Sequence, residues 1–368
     1  MKGLVLPPFL AGQSWRAILP LTLLVILGAA VLHSAAGGSM NPYASSHLIR
    51  FGAFMVMALV MSYLTPELYR WAAFPGYVLV LLLLVLVELL GAMGGGSQRW
   101  LDLGPIVLQP SELMKPAIAL ALAAFYHSLP PGMVASWRGL VPALGLIAVP
   151  TGLVLLQPDL GTALAILFGG AVVMFLAGLE AKWFAWGGLA ALITGPLAFF
   201  FGLKEYQQRR VTTFLDPEND PLGAGYHITQ SQIAIGSGGI AGKGFGEGSQ
   251  SHLQYLPEPH TDFVFATMAE EWGLMGGLMV LLMFGLVLRW GMSVAQAAPD
   301  RFLRLLAAGM TATIFFYVAT NLMMVMGLAP VVGIPLPFMS HGGSSMMTNM
   351  ICIGMIMMVE RQSRRRRR

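Results

Sequence analysis

The chain has 368 residues, of which 56% are hydrophobic and only 10% are charged, and its formal net charge at pH 7 is +4. A typical soluble domain carries about 25% charged residues, so this composition excludes an ordinary soluble protein and favours a membrane protein. The single cysteine, Cys352, excludes an intramolecular disulfide and a metal site built from several thiolates.

Ten apolar segments are long enough to cross a bilayer, because about 20 helical residues span its hydrocarbon core. Membrane barrels show shorter, alternating segments, so the sequence predicts an all-α integral membrane protein of about ten transmembrane helices. We predict that the first segment is an uncleaved span rather than a signal peptide, since the lead before it is long for a charged n-region. In chain order the predicted spans are 16–34, 47–65, 71–92, 111–128, 138–156, 160–179, 183–203, 263–291, 302–328 and 342–360.

Lysine and arginine residues fall unevenly on the two sides of these spans. With the N-terminus inside, most of the 21 basic residues lie in cytoplasmic segments, and the positive-inside rule then places both termini in the cytoplasm. The basic tail, residues 361–368, is expected to hold this topology or to touch anionic membrane lipid, and not to bind nucleic acid.

Residues 1–368 are interpreted as a single polytopic membrane domain with one large extracytoplasmic loop. That loop, residues 204–262, joins the seventh and eighth spans and is by far the longest stretch that is not apolar. Connections longer than about 15 residues are usually functional or disordered. Because this one contains several aromatic residues and isoleucines, we expect it to be partly ordered on the outer membrane face.

Ionisable residues in or beside the predicted spans are functional candidates, because a charge placed in lipid is costly. Each one alone is also consistent with a structural charge that reaches the lipid headgroups or pairs with a neighbour. Their shared position towards the outer ends of the spans predicts a polar cavity that opens to the outer leaflet. The residues with this position are Arg50, Glu88, Glu112, Lys115, Asp159, Glu270 and Glu271.

Three of these residues carry a more specific expectation. Glu112 and Lys115 lie three residues apart at the start of the fourth span, so they share a helix face and are able to pair. Asp159 lies in the outer turn before the sixth span, where lining the cavity and capping the helix are equally consistent with its position.

Two motifs for phosphate or cation binding fail on their spacing. The glycine-rich segment Gly236–Gly248 contains Lys243, but it lacks the Gly and the Ser or Thr that a Walker A loop requires. The acidic stretch that begins at Asp216 lacks the Gly and the Glu of an EF-hand, which leaves only weak divalent-cation binding open.

Several other motifs, in the long loop and at the outer ends of the spans, form a recognisable set. They are Asp216-Pro217, the string from Asp220 to His227 (DPLGAGYH), Leu256-Pro257-Glu258 leading to His260-Thr261-Asp262-Phe263, Gln109 to Glu112 with Lys115, and Gln157 to Thr162. Together they resemble the SEDS (shape, elongation, division, sporulation) family of peptidoglycan glycosyltransferases, and its elongation member more than its division member. The resemblance covers essentially the whole chain. One position departs from it, since His341 stands where the family's Ser-Tyr-Gly-Gly-Ser motif has tyrosine.

The resemblance implies a glycosyltransferase that polymerises lipid II, a disaccharide-pentapeptide on undecaprenyl pyrophosphate, into glycan strands during cell elongation. It also implies a multi-pass protein of the bacterial cytoplasmic (inner) membrane, an active site that faces the periplasm, and a class B penicillin-binding protein as partner. A lipid II flippase and a non-catalytic scaffold of the elongation machinery are the alternatives. A flippase should be polar through the full depth of the membrane, whereas these charges lie in the outer halves.

Asp262 is the expected catalytic residue, as the general base that takes the proton from the attacking sugar hydroxyl. Its position alone fits equally well with capping the eighth span, and the family motif favours catalysis. Glu112 is expected to orient Lys115, while membrane headgroups are an alternative ligand for the tandem arginines. The residues expected to bind the substrate and its pyrophosphate are Lys115, Glu112, Arg210, Arg209, Arg50 and Asp159.

No cofactor is certain from the sequence. A divalent cation such as Mg²⁺ at the pyrophosphate is left open, because Mg²⁺ commonly binds through substrate phosphates. No metal-ligating residues are predicted.

Overall fold

The computed structural model describes residues 12–90, 92–94, 97–102, 107–130, 132–202, 205–216, 223–253, 255–256 and 258–367. Within these ranges helices predominate, which confirms the predicted all-α class. The helices are α1 (Trp15–Ala35), α2 (Tyr43–Met61), α3 (Pro66–Leu90), α4 (Pro110–Ser128), α5 (Trp137–Leu156), α6 (Leu160–Leu176), α7 (Ala181–Phe201), α8 (Glu205–Leu215), α9 (Ala224–Ser237), α10 (Ser249–His252), α11 (Val264–Ala297), α12 (Arg301–Val325) and α13 (Gly343–Arg367).

Among the described residues, seven helices are long and apolar enough to cross a membrane: α1, α2, α3, α5, α7, α11 and α12. Helix α6 is apolar but shorter. Helices α4 and α13 occupy the two remaining predicted spans and are less apolar. Both are largely buried in the bundle, so their composition fits helices that face protein more than lipid. The count of ten spans stays a prediction.

Local sequence explains where several helices begin. Pro66 and Pro110 open α3 and α4, at the helix start where a missing backbone N–H is tolerated. Asp300 caps α12, because its carboxylate accepts a hydrogen bond from the Leu303 backbone N–H at 3.0 Å. Helices α4, α12 and α13 pack at the centre of the bundle. The start of α4, the end of α12 and the start of α13 therefore lie close together.

A small antiparallel sheet follows α3. Its strands are β1 (Ala92–Gly94), β2 (Ser97–Asp102) and β3 (Val107–Leu108), in the order β1-β2-β3. Strand β2 packs against α3 and α4, which brings Arg99 and Trp100 to the end of the bundle where α4 begins.

The described part of the loop 204–262 contains α8, α9 and α10. Helix α9 is fixed to the end of α12, since the Ser231 hydroxyl donates to the Val325 carbonyl at 2.7 Å and the Gln232 amide donates to the Met326 carbonyl at 3.1 Å. The extracytoplasmic position of this loop stays a prediction.

The glycine-rich segment Gly236–Gly248 supplies backbone hydrogen-bond partners at a break in α11. The break is at Gly273, whose φ of 62° and ψ of −159° are not helical. Backbone carbonyls before such a break lose their helical partners and need other donors. The N–H groups of Lys243 and Gly244 supply them, at 3.0 Å from the Glu270 carbonyl and 3.1 Å from the Glu271 carbonyl. In return the Leu274 N–H donates to the carbonyl of Gly239 at 2.9 Å.

The side chains of Glu270 and Glu271 connect α11 to the glycine-rich segment and to α1. Glu270, with none of its side chain exposed, accepts from Lys243 Nζ at 2.7 Å and from the Gln250 backbone N–H at 3.0 Å. Glu271 accepts from the Ser34 hydroxyl of α1. Neither glutamate lines the cavity described below, so the expectation of one cavity shared by all these charges is wrong for this pair. Glu270 is paired with Lys243 instead, and Glu271 is held in the same packing cluster by the Ser34 hydroxyl.

Alanine substitutions at two glycines of this segment test how closely its backbone packs against α11. Gly239 and Gly242 both have positive φ, of 55° and 82°, but a Cβ on Gly242 would lie 2.1 Å from the Glu271 carbonyl oxygen while a Cβ on Gly239 would meet nothing within 4 Å. We expect Gly239→Ala to destabilise the fold by about 1–2 kcal/mol through its backbone conformation. Gly242→Ala should cost roughly 1–3 kcal/mol more through overpacking. Thermal unfolding in detergent measures the difference, and equal losses for the two variants would contradict the packing argument.

Candidate functional site

A cavity of about 470 Å³ lies where α4, α6 and α11 begin and where the chain passes from α12 to α13. Helix N-termini carry partial positive charge, so they favour anionic side chains and ligands. Among the described residues, the charged groups that line it are Arg99, Glu112, Asp159, Glu258 and Asp262. The cavity thus brings together three sequence-predicted site residues, Asp262, Glu112 and Asp159, from distant parts of the chain.

Asp262 lies at the rim of this cavity, immediately before α11. Phe263, rather than Asp262, occupies the N-cap position of that helix. The backbone carbonyl of Asp262 accepts a hydrogen bond from Asn321 Nδ2 at 2.8 Å. Its carboxylate lies against the backbone of Gly333, since a Cβ on that glycine would be 3.4 Å from Asp262 Oδ2. Asp262 is half-buried and is placed by contacts from both sides.

Asn321, near the end of α12, connects the two loops that frame Asp262. Its side chain is fully buried, and the same Nδ2 that binds Asp262 also donates to the Ile334 carbonyl at 2.8 Å. Sequence reasoning missed this residue. The available signal was an amide inside an apolar span, where polar groups are usually bonded to protein rather than left in lipid.

Behind the cavity, Glu112, Lys115 and Tyr317 form a buried triad. Lys115 Nζ lies 2.6 Å from Glu112 Oε1 and donates to the Tyr317 hydroxyl oxygen at 2.7 Å. The Tyr317 hydroxyl donates to the other oxygen of Glu112. The expected pairing of Glu112 with Lys115 is therefore present. Glu112 lines the cavity, whereas the Lys115 side chain is 1% exposed and stands behind it.

Both roles predicted for Asp159 are present, because it caps α6 and also lines the cavity. Its Oδ1 accepts from the Thr162 backbone N–H at 3.1 Å, and its Oδ2 accepts from Gln109 Nε2 at 3.2 Å. Arg99 fixes the preceding turn by donating from Nε to the Gln157 carbonyl at 3.1 Å. The start of α4 and the start of α6 are thus joined by polar contacts at the cavity wall.

Arg50 reaches the cavity through His341. Arg50 Nη1 donates to His341 Nε2 at 3.0 Å, so the acceptor nitrogen is unprotonated, and His341 itself lines the cavity. The His341 backbone N–H donates to the His260 carbonyl at 2.8 Å. The Tyr43 ring stacks on His260 with centroids 4.0 Å apart and meets His341 edge-on at 5.2 Å. The histidine that departs from the family motif is therefore packed and bonded.

The remaining predicted residues lie elsewhere. Glu88 is exposed on α3 and does not line the cavity. Arg209 and Arg210 fall in α8, and their side chains lie outside the described part of the structure. Within the described ranges, no three His, Cys, Asp or Glu residues come together in a way that would hold a metal ion.

The contacts of His341 predict a specific pH dependence. Burial, with a smaller contribution from the Arg50 guanidinium, lowers the pKa of His341 from 6.5 to about 4. Between these two values the unfolded chain binds a proton that the folded chain does not, so stability should fall as the pH drops from 6.5 to 4. We expect His341→Gln to lose less melting temperature over this window than the wild type does.

The control for this measurement is His33→Gln, which removes an imidazole outside the cavity. Melting curves of the three proteins at pH 6.5, 5 and 4 supply the comparison. An equal acid-induced loss in the wild type and in His341→Gln would refute the role assigned to this histidine.

Comparison with known proteins places this architecture in a family. A family model described as cell cycle protein, FtsW/RodA/SpoVE, matches residues 9–365. Peptidoglycan glycosyltransferase MrdB of Escherichia coli (strain K12) is 42% identical over 347 residues, which cover 93% of this chain and 92% of MrdB.

Solved structures agree with this match. A chain from a peptidoglycan synthase complex that coordinates polymerisation and crosslinking has a TM-score of 0.84 at 34% identity, covering 95% of this chain and 98% of that one. The rod shape determining protein RodA of Thermus thermophilus has a TM-score of 0.73 at 31% identity, covering 97% and 99%.

Proposed function

This chain belongs to the FtsW/RodA/SpoVE (SEDS) family, and on that premise we propose that it is a peptidoglycan glycosyltransferase, as its relative MrdB is named. It is an integral membrane protein of several helical spans. We propose further that its donor is lipid II, that it extends glycan strands during cell elongation, and that the cavity at Asp262 holds the reacting groups.

Sugar transfer requires that a hydroxyl of the acceptor sugar attacks the anomeric carbon of the donor while the lipid pyrophosphate leaves. A carboxylate that takes the hydroxyl proton during attack is the general base of such a reaction. Asp262 is the proposed base. The observation that carries this proposal is its placement, because Asn321 fixes its main chain and Gly333 lies against its carboxylate at the cavity rim. A general base must be held in position by its surroundings in this way.

Two further cavity carboxylates, Glu112 and Asp159, are proposed to shape the site rather than to move protons. Glu112 is held by Lys115 and Tyr317, and Asp159 is engaged by Thr162 and Gln109. These bonds keep both carboxylates in fixed orientations. Substrate hydroxyl and amide groups are the chemistry that such acceptors bind.

The leaving pyrophosphate needs positive charge. Among the described residues, Arg99 is the arginine that lines the cavity, and Arg50 is a second proposed ligand that lies behind His341 and next to the Gly343 turn. Lys115 is proposed to act indirectly, by fixing the orientation of Glu112, since its ammonium group is already bonded inside the triad. Arg209 and Arg210 stay proposals on sequence grounds.

A divalent cation such as Mg²⁺ is compatible with this cavity. Mg²⁺ is often bound by one or two carboxylates together with substrate phosphates, so the absence of a three-residue metal cluster among the described residues is consistent with that mode. Bound at the pyrophosphate, such an ion would neutralise part of its negative charge.

The membrane setting and the partner complete the proposal. The charge pattern supports a bacterial inner-membrane protein with both termini in the cytoplasm and the cavity facing the periplasm. A class B penicillin-binding protein is the proposed partner, and the similarity to a chain of a polymerising and crosslinking complex supports it.

A lipid II flippase and a scaffold are the competing functions. The charged cavity lies at one end of the bundle, which favours a polymerase over a path through the membrane. The test uses the purified protein with its penicillin-binding partner, labelled lipid II in vesicles, and two readouts: glycan length on gels and lipid exchange between leaflets. Polymer without exchange is expected. Exchange without polymer would favour the flippase, and neither activity would favour the scaffold.

A further inference from the structure

A second cavity, of about 570 Å³, lies between α1 and α11 at the end of the bundle opposite Asp262. Arg289 is 16 residues beyond the break at Gly273, which corresponds to about 24 Å along the second part of α11 at 1.5 Å per residue. This cavity therefore belongs to the other membrane face and takes no part in the proposed sugar transfer.

The walls of this groove are apolar and its mouth is cationic. Leu19 and Leu23 of α1 face Met283 and Leu286 of α11, and Arg16 and Arg289 lie on the same groove with Trp15, Trp290 and Ser293. Tryptophan and arginine side chains at this depth are typical of the interface between hydrocarbon and headgroups. The arrangement is amphipathic, with a lipid-like wall below a pair of guanidinium groups.

Neither guanidinium of this pair has a hydrogen-bond or ion-pair partner among the described residues. Other arginines of the bundle do, as Arg301 shows by donating to the Ala177 carbonyl at 2.9 Å. The nearby carboxylate, Glu360, is already engaged, because it accepts from Trp290 Nε1 at 2.9 Å and from Arg364. Arg16 and Arg289 thus present positive charge that the described part of the protein does not neutralise.

We propose that this groove binds an anionic phospholipid, with its phosphate between Arg16 and Arg289 and an acyl chain along Leu19, Leu23, Met283 and Leu286. Guanidinium groups bind phosphate oxygens in pairs of hydrogen bonds, which suits a headgroup phosphate. The apolar wall selects a lipid over a free phosphate ion. A phospholipid of zero net charge would also pack its acyl chain against the apolar wall. The positive charge of its headgroup, however, would weaken the attraction between its phosphate and the two arginines.

The test is native mass spectrometry of the full-length protein released from mixed phosphatidylglycerol and phosphatidylcholine micelles. The wild type should retain phosphatidylglycerol, and R16Q/R289Q should lower this retention by about tenfold or more, given the usual contribution of a basic residue near anionic lipid. R304Q is the matched control. Arg304 is an exposed arginine at the start of α12 that does not line the groove, so its loss should leave retention unchanged.

Three outcomes would overturn the proposal. The first is equal retention of phosphatidylglycerol by the wild type and R16Q/R289Q. The second is equal retention of phosphatidylcholine by the wild type, which would mean that charge is not recognised. The third is full displacement of the lipid by millimolar inorganic phosphate, which would identify a simple anion site. Melting curves of the double variant serve as the folding control, and we expect it to fold because these surface substitutions remove no bond of the described bundle.

Discussion

Replacing Asp262 by Asn is expected to abolish glycan polymerisation while the protein stays folded. The amide has nearly the same shape as the carboxylate but cannot accept the proton of the attacking hydroxyl. General-base catalysis typically contributes about 10²–10⁴-fold to a rate, so a loss of that size or larger is expected. The bond from Asn321 goes to the main-chain carbonyl of residue 262, and the substitution leaves it in place.

The measurement is polymer formation from labelled lipid II by the variant in complex with its penicillin-binding partner. Glu247→Gln is the matched control, because Glu247 lies in the same loop, is exposed, and does not line the cavity. The control should polymerise at the wild-type rate. Normal polymer from Asp262→Asn would remove Asp262 from the mechanism, although the family membership of the chain would be unaffected.

Replacing Lys115 by Met should destabilise the fold by about 3–5 kcal/mol, the usual cost of breaking a buried ion pair by removing one partner. The Lys115 ammonium is buried against Glu112 at 2.6 Å. Without it, the Glu112 carboxylate stays in place with only the Tyr317 hydroxyl as a described side-chain donor. The remaining charge is then uncompensated in a medium of low polarity.

A second variant separates stability from activity. Lys115→Met combined with Glu112→Gln removes both charges and should recover much of the lost stability, yet polymerisation should stay low because the cavity has lost an oriented carboxylate. Lys182→Met is the control, since Lys182 pairs with Glu180 at a similar distance on the surface. An exposed pair of this kind contributes about 0–1 kcal/mol. Equal losses in unfolding free energy for the two single lysine variants would contradict the buried-triad argument.

Hydropathy and helical spacing were enough to predict a large part of this molecule. All ten predicted spans coincide with helices, because apolar runs and polar breaks are local properties of the chain. The pairing of Glu112 with Lys115 followed from their spacing on one helix. Asp159 and Asp262 meet in the same cavity because both lie just before helices that begin at the same end of the bundle.

The contacts between distant segments could not be predicted in this way. Tyr317 completes the triad from 202 residues beyond Lys115, and Asn321 reaches Asp262 from a different helix. A single sequence carries no signal for which two helices adjoin. The same limit explains Glu270 and Glu271, which share the outer position of the cavity charges but pack against α1 and the glycine-rich segment.

The break in α11 has a mechanical consequence. The first turns of this helix follow directly on Asp262, and at Gly273 they are separated from the long rod that continues to Ala297. The glycine-rich segment connects the two parts of α11 across this break, because its backbone bonds to carbonyl groups before Gly273 and to N–H groups after it. We therefore expect the rigidity with which Asp262 is held to depend on the glycine-rich segment, which lies about 20 residues earlier in the chain and does not line the cavity.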